Sequence, residues 1–131
     1  MNQANENSTL STHDAEDDER NHNIKIYING NLLHREEAKV SVYDAGFMLG
    51  DGMWEGMRLY NGKWAFFDAH MDRLFGSCKS VGIDIGMDRA GILDALNQTA
   101  QANGMVDDAH CRLMVTRGLK ANPFQPPHLS R

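Results

Sequence analysis

Arg73 is the side chain whose type and position best suit binding chemistry. It lies in residues 68–81, where apolar residues recur at helical spacing and predict one buried helix face, formed by Met71, Leu74, Phe75, Cys78 and Val81. At about 100 degrees per residue, Arg73 falls off that face, among the small residues Ala69, Gly76 and Ser80. A planar guanidinium among small side chains favours close approach by another domain, or by a small anion that its fork can bind. An ordinary solvent-exposed arginine is the alternative interpretation.

Four glycines upstream of this helix indicate a backbone that turns sharply or approaches another group closely. Gly46, Gly50, Gly52 and Gly56 fall within eleven residues that also contain several apolar side chains. The segment is not a phosphate-binding P-loop, because Gly50-Asp51-Gly52 is not followed by Gly-Lys-Ser/Thr. A glycine-rich turn into a hairpin explains the spacing equally well.

The elements that position these residues begin with strands. Ile24, Ile26 and Ile28 alternate with Lys25 and Tyr27, and Asn29-Gly30 then predicts a tight turn. Residues 38–43 are predicted to be a second extended piece.

A second Asn-Gly turn, Asn61-Gly62, joins residues 57–60 to residues 63–67 in the clearest hairpin of the chain. Glu55 and Arg58 enter this hairpin three residues apart, so a structural ion pair and a ligand contact are both open interpretations. Two strand pairs joined by such turns imply an antiparallel sheet.

Two helices and a final strand complete the predicted fold. Asp68 is the predicted N-cap of the helix that carries Arg73, and Asp88 that of a second helix, which ends near Gly104 and buries Ile92, Leu93, Leu96 and Ala100. Residues 109–117 alternate as a strand, with His110, Arg112, Met114 and Thr116 on the face opposite Cys111, Leu113 and Val115. The predicted fold class is α+β, a small antiparallel sheet covered by two helices.

Charge and composition limit the possible functions. The net charge of −5 lies within residues 1–23, predicted to be a disordered acidic leader, so residues 24–131 are neutral overall and lack the basic patch of a nucleic-acid surface. No apolar run is long enough to span a membrane, and no secretory signal is visible. Two ordinarily spaced cysteines predict neither a disulfide framework nor a metal site. We expect a cytoplasmic protein whose single domain covers residues 24–122.

Four segments resemble one enzyme family, the fold type IV or class IV pyridoxal-phosphate aminotransferases. They are YINGNLL, VSVYDAGFMLGDGMWEGMRLYNG, FFDAHMDRLFGSCKSVGI and CRLMVTRG, which follow one another in the family's order over about ninety residues. The family includes branched-chain and D-amino acid aminotransferases and aminodeoxychorismate lyase. The resemblance implies that this chain is similar to the N-terminal domain of a two-domain enzyme.

The resemblance also implies roles for individual residues. Arg73, in the H-x-x-R-L pattern, matches the arginine that binds the phosphate of pyridoxal 5'-phosphate. Substrate contacts are implied at Trp54, Leu49, His110, Arg112, Arg58 and Arg117. Branched-chain enzymes have tyrosine at the positions of Leu49 and His110, and these departures leave the substrate open.

The implied reaction is transfer of an amino group between an amino acid, branched-chain-like or related, and a 2-oxo acid. No catalytic residue is predicted in this chain, because the family's cofactor-binding lysine belongs to the C-terminal domain. Lys120 lies in a polar, proline-rich stretch that is poorly suited to desolvating an amine. We expect residues 123–131 to begin the interdomain linker, the C-terminal domain to be absent and the chain alone to be inactive.

Two other functions remain open. One is a stand-alone, non-catalytic module that binds a partner through the Arg73 face. The other is a fragment of an aminodeoxychorismate lyase-like enzyme, for which the region of Arg112 and Arg117 and the other domain are decisive. The complete enzyme is expected to be a homodimer.

Overall fold

The computed structural model describes residues 16–122 and His128, and this part of the chain has an α+β fold. Its elements are the strands β1 (Lys25–Ile28) and β2 (Asn31–His34), helix α1 (Ala45–Leu49), strands β3 (Gly52–Tyr60) and β4 (Lys63–Trp64), helices α2 (Phe67–Ser80) and α3 (Arg89–Ala102), and strand β5 (Ala109–Thr116). The predicted fold class, antiparallel β-structure covered by two main helices, is confirmed.

The described strands form two sheets, whereas the sequence predicted one. β1 pairs with β2 alone, and a second sheet has the order β4-β3-β5, antiparallel throughout. The β1–β2 hairpin is attached instead to the end of α3. There the side-chain amide of Asn103 accepts a hydrogen bond from the backbone N–H of Lys25 and donates one to the Lys25 carbonyl. The amide thereby satisfies both backbone polar groups of Lys25.

The core lies between β3, α2 and α3. Its buried residues are Met57, Met71, Leu74, Cys78, Ile83, Ile92 and Leu96. Three of the five residues predicted on the buried face of α2 are therefore fully buried, and Phe75 packs against them. Val81 is exposed because it is the C-cap residue, beyond the last helical turn. Met57 and Leu59 lie on the inward face of β3 and are both buried, and Met57 belongs to this core.

Two local predictions were wrong, and one short helix was not predicted. Asp68 is not the N-cap: the N-cap of α2 is Phe66, two residues earlier, and its φ of 56° turns the chain into the helix without a side-chain cap. Residues 38–43 contain no strand. Between them and β3 lies α1, which the sequence did not predict, capped by Asp44 and ended by Gly50 in the left-handed conformation. By contrast, Asp88 caps α3 by accepting a hydrogen bond from Gly91 N–H, as predicted.

The ends of the chain were assigned to a leader and a linker. Residues 1–15 of the predicted leader, and residues 123–131 apart from His128, lie outside the described residues. Regular structure starts before Ile24, because Glu19–Asn21 form one turn of 3-10 helix. Arg20 attaches this turn to the start of β5 by donating to the carbonyls of Asp107 and Asp108. No helix in the described part of the chain is long and apolar enough to cross a membrane.

Candidate functional site

Arg73 lies where the helical spacing placed it, on the exposed side of α2, but it has a partner that the sequence did not reveal. Its Nε donates to Oε1 of Glu55 at 2.6 Å and its Nη2 donates to Oε2 at 2.5 Å. The Arg73 side chain is 68% exposed, whereas that of Glu55 is 3% exposed. The pair therefore joins a buried carboxylate to a guanidinium at the surface.

His70 is the second partner of Glu55. Its Nδ1 lies 2.6 Å from Oε2 of the same carboxylate. The hydrogen bonds from Arg73, and secondarily those from His70, hold the pKa of Glu55 below its usual range despite burial. Glu55 in turn raises the pKa of Arg73. The cluster thus consists of an ionised glutamate and a permanent cation, with His70 as a second partner of the carboxylate.

Strand and helix periodicity explain how these three residues meet. Glu55 shares the inward face of β3 with Met57 and Leu59, and α2 packs on that face. His70 and Arg73 are three residues apart on α2, so both side chains can reach the same carboxylate. An acidic residue at an inward strand position requires a cation nearby. That requirement, together with the H-x-x-R spacing, was the signal that could have identified the cluster.

The proposed ion pair between Glu55 and Arg58 does not form. Three residues apart in a strand means opposite faces, and Arg58 pairs with the exposed Asp108 at 2.7 Å. Its guanidinium also lies 5.6 Å from the ring centre of Tyr60. Arg58 is therefore on the open face of the sheet, away from α2.

The open face also carries three of the other predicted substrate-binding residues. Trp54 on β3 and His110 and Arg112 on β5 all point to this side, and β3 and β5 are paired so that Arg58 faces His110 and Gly56 faces Arg112. The Arg112 guanidinium lies over the Trp54 ring, 4.4 Å from its centre. The face thus presents cations beside an aromatic surface, a combination suited to anions that carry an apolar group.

A glycine keeps this arrangement compact. A Cβ atom built on Gly56 would lie 2.9 Å from Nε2 of His110 and 3.6 Å from the Trp54 ring. A larger side chain at this position would displace the His110 ring, while the Trp54 ring would stay at ordinary contact distance. The predicted close approach of the glycine segment is confirmed here, and again at Gly52, where a Cβ would lie 2.7 Å from the carbonyl oxygen of Val115.

Arg117 and Leu49 are placed differently from the open-face residues. The guanidinium of Arg117 binds the Asp51 carboxylate and donates to the carbonyls of Val81 and Gly82. It is largely buried and ties the ends of β5 and α2 to the turn before β3. Leu49 is exposed at the end of α1, which contacts β5.

The structure therefore separates the candidate residues into two groups. Arg73 lies on the α2 side of β3, and Trp54, Arg58, His110 and Arg112 lie on the other side. Among the described residues, no hydrogen bond or ion pair joins the two groups. β3 connects them through consecutive residues, Trp54 facing one way and Glu55 the other.

The residues present fit the phosphate end of pyridoxal 5'-phosphate. Arg73 offers a surface guanidinium with one edge still open, and phosphate binds such an edge through two hydrogen bonds. The described lysines are exposed except Lys120, which is 5% exposed, so the expectation that its stretch is poorly suited to desolvating an amine was wrong. Its burial follows from its backbone, whose N–H donates to the carbonyl of Tyr43 beside α1.

The cysteines and acidic groups suggest no further chemistry. Cys78 and Cys111 are free, and burial raises the pKa of both thiols, which keeps them protonated at neutral pH. No group of three or more His, Cys, Asp or Glu side chains in the described part of the chain could hold a metal ion.

Comparison with known proteins gives relatives of one kind. A protein of Methanocaldococcus jannaschii with the provisional name branched-chain-amino-acid aminotransferase is 43% identical over 96 residues, 73% of this chain and 33% of that protein. D-alanine aminotransferase of Listeria monocytogenes is 34% identical over 100 residues, 76% of this chain and 34% of that enzyme. The chain thus spans about a third of the length of these relatives.

Solved structures give the same result for the fold. The branched-chain aminotransferase of Thermoproteus uzoniensis with norvaline matches with a TM-score of 0.67 and 30% identity, over 77% of this chain and 35% of that one. The 4-amino-4-deoxychorismate lyase of Pseudomonas aeruginosa matches with a TM-score of 0.57 and 30% identity, over 69% and 31% of the two chains. The family model for amino-transferase class IV matches residues 52–129, more than half of the chain. This chain belongs to the class IV aminotransferase family.

Proposed function

We propose that this chain forms the phosphate-binding wall of a pyridoxal 5'-phosphate enzyme that transfers an amino group between an amino acid and a 2-oxo acid. The observation that carries the proposal is Arg73, a surface guanidinium fixed by a buried carboxylate within a chain of this family.

Arg73 would hold the phosphate of the cofactor. When bound, pyridoxal 5'-phosphate supplies an aldehyde that reacts with amines and a ring that accepts electron density. The chain's own contribution is electrostatic and positional, because a permanent cation at a fixed place anchors a dianionic group without any proton transfer.

The open face would contact the substrate. Arg112 and His110 would bind a carboxylate there, and Trp54, whose ring lies under the Arg112 guanidinium, would offer an apolar wall. We assign Arg58 and Leu49 to the rim of this region. Arg117 would support it through Asp51, since its hydrogen bonds are directed at the protein itself. The substrates would be a branched-chain or related amino acid and a 2-oxo acid.

The remaining machinery would come from outside these residues. We propose that the lysine that reacts with the cofactor belongs to a second domain, that the complete enzyme is a cytoplasmic homodimer, and that the 131 residues alone do not transfer amino groups. The relatives, about three times as long, have room for such a domain.

The first test measures cofactor binding by this chain. Pyridoxal 5'-phosphate should bind Arg73→Ala at least about tenfold more weakly than the parent, because a charge-assisted bidentate contact is lost. Pyridoxal without the phosphate should not distinguish the two proteins. Borohydride reduction of the mixture should leave no lysine of this chain labelled stoichiometrically. Equal binding by both proteins, or one fully labelled lysine, would contradict the proposal.

The second test measures the reaction. A chimera in which this chain replaces the matching segment of the Methanocaldococcus jannaschii relative should bind the cofactor and transfer an amino group from L-leucine or D-alanine to 2-oxoglutarate. The same chimera with Arg73→Ala should lose most of this transfer. A folded, cofactor-bound chimera that transfers from neither donor would contradict amino transfer.

Two alternative functions give different results in these tests. The similarity to a 4-amino-4-deoxychorismate lyase favours elimination as a second candidate, which the chimera would reveal by releasing pyruvate from aminodeoxychorismate. A stand-alone partner-binding module would unfold cooperatively by itself and would bind pyridoxal phosphate no better than free phosphate.

A further inference from the structure

We propose that Glu55 is the positioning residue for Arg73, holding its guanidinium so that the terminal edge faces outward toward a phosphate. The identity of the phosphate rests on the proposed function. The positioning itself rests on the contacts of three residues, Glu55, Arg73 and His70.

A guanidinium has two edges that can each bind an anion with two parallel hydrogen bonds. Glu55 occupies the side edge, formed by Nε and Nη2. The terminal edge, formed by Nη1 and the second hydrogen of Nη2, makes no hydrogen bond to any described residue. One anion therefore fixes the plane of the group while the other edge stays available for a second anion.

Glu55 is the rigid member of the pair. It lies on β3, the central strand of its sheet, and its side chain is 3% exposed. His70 holds the same carboxylate at 2.6 Å, so rotation away would break contacts to both partners and leave a buried charge unpaired. Arg73 has a long side chain with several rotatable bonds and is largely exposed, so the orientation is imposed by Glu55 on Arg73.

A simple countercharge would have the opposite effect on anion binding. The negative charge of Glu55 repels a phosphate nearby, so removing it should tighten phosphate binding if charge alone mattered. Positioning predicts weaker binding, because a released arginine must be ordered again each time an anion binds. The sign of the change distinguishes the two roles.

The test is a titration of the full chain with pyridoxal 5'-phosphate and, separately, with inorganic phosphate, followed through the ¹⁵Nε resonance of Arg73. We expect Glu55→Gln, which keeps the side-chain shape, to weaken both ligands about three- to tenfold. Without ligand, its Arg73 Nε–H should exchange with water faster than in the parent. Asp72→Asn also removes one negative charge, but from α2 next to Arg73 in sequence, where Asp72 pairs with Arg89, and it should leave both readouts unchanged.

His70→Asn provides the result if Glu55→Gln does not fold. It keeps Glu55 and Arg73 and loosens only the support of the carboxylate, so it should weaken both ligands less than Glu55→Gln and in the same direction. If the Glu55 variant folds and binds the ligands as tightly as the parent or more tightly, the positioning role is overturned. The same result in the His70 variant overturns it if only that variant folds. In both cases the proposed function stays intact. Parent protein that binds neither ligand through Arg73 would overturn both.

Discussion

At the scale of single residues, two arginine–aspartate pairs of the same chemical type should differ in their effect on stability. Arg117 and Asp51 are 13% and 24% exposed, and Arg117 also binds two backbone carbonyls, whereas Arg58 and Asp108 are 47% and 74% exposed. Replacing Arg117 by lysine removes the bidentate fork and leaves polar groups unsatisfied.

We therefore expect Arg117→Lys to lower the free energy of unfolding by about 1–3 kcal/mol, measured by urea denaturation. The matched variant Arg58→Lys should change it by less than about 0.5 kcal/mol, because surface ion pairs contribute little. Similar losses in the two variants would mean that the network around Arg117 is not structural.

Glu55 should make stability depend on pH in a defined direction. Because Arg73 lowers its pKa in the folded chain, the carboxylate stabilises the fold above its unfolded pKa of about 4.3, and this contribution disappears as pH falls through the lower folded pKa. The difference in unfolding free energy between the parent and Glu55→Gln should be constant from pH 7 to about 5 and should shrink toward pH 3. Urea unfolding at several pH values measures it. A difference that does not change with pH would show that Glu55 is not an ionised partner in the fold.

At the scale of elements, two glycines in different environments give opposite predictions. A Cβ at Gly52 would meet the backbone oxygen of Val115 on the paired strand β5, whereas a Cβ at Gly76 in α2 would meet nothing within 4 Å. Gly52→Ala should cost about 1–3 kcal/mol, because two hydrogen-bonded strands must separate. Gly76→Ala should stabilise α2 by about 0.5–1 kcal/mol through helix propensity. Thermal or urea unfolding measures both changes. A stabilising Gly52→Ala would show that β3 and β5 leave room for a Cβ at this position.

The elements also show which parts of the fold were visible in the sequence. Alternation predicted the inward and outward faces of β5, and Asp88 and Gly104 marked the ends of α3, because those signals are local. α1 has five residues, too few for a helical period to emerge. The β1–β2 hairpin is held to the end of α3 by Asn103 and Lys25, which are 78 positions apart, and no local pattern encodes such a long-range contact. The site was predictable in part, since helix spacing located Arg73. Its pairing with Glu55 could be inferred only from the need of an inward acidic residue on a strand for a nearby cation.

At the scale of the whole molecule, exposed apolar residues are concentrated around α1. This α1 surface comprises Val42, Phe47, Leu49 and Leu119, all exposed, and a backbone bridge between Asp44 and Leu119 brings its two segments together. Single exposed apolar residues are ordinary, but a contiguous group favours association. Residues 24–131 carry equal numbers of acidic and basic side chains, so this part of the chain has no net charge to oppose contact.

We expect the chain to self-associate as its concentration rises. Phe47→Ser should shift that association to several-fold higher concentration, because it removes the aromatic ring of the α1 surface. Val106→Ser is the matched control. Val106 is equally accessible but lies beside the Asn61-Gly62 turn, at the far end of β3 from α1. Sedimentation velocity over a range of concentrations measures both. Equal shifts in the two variants would assign the association to general surface hydrophobicity, and a parent chain that stays monomeric would show that the α1 surface is no interface between copies.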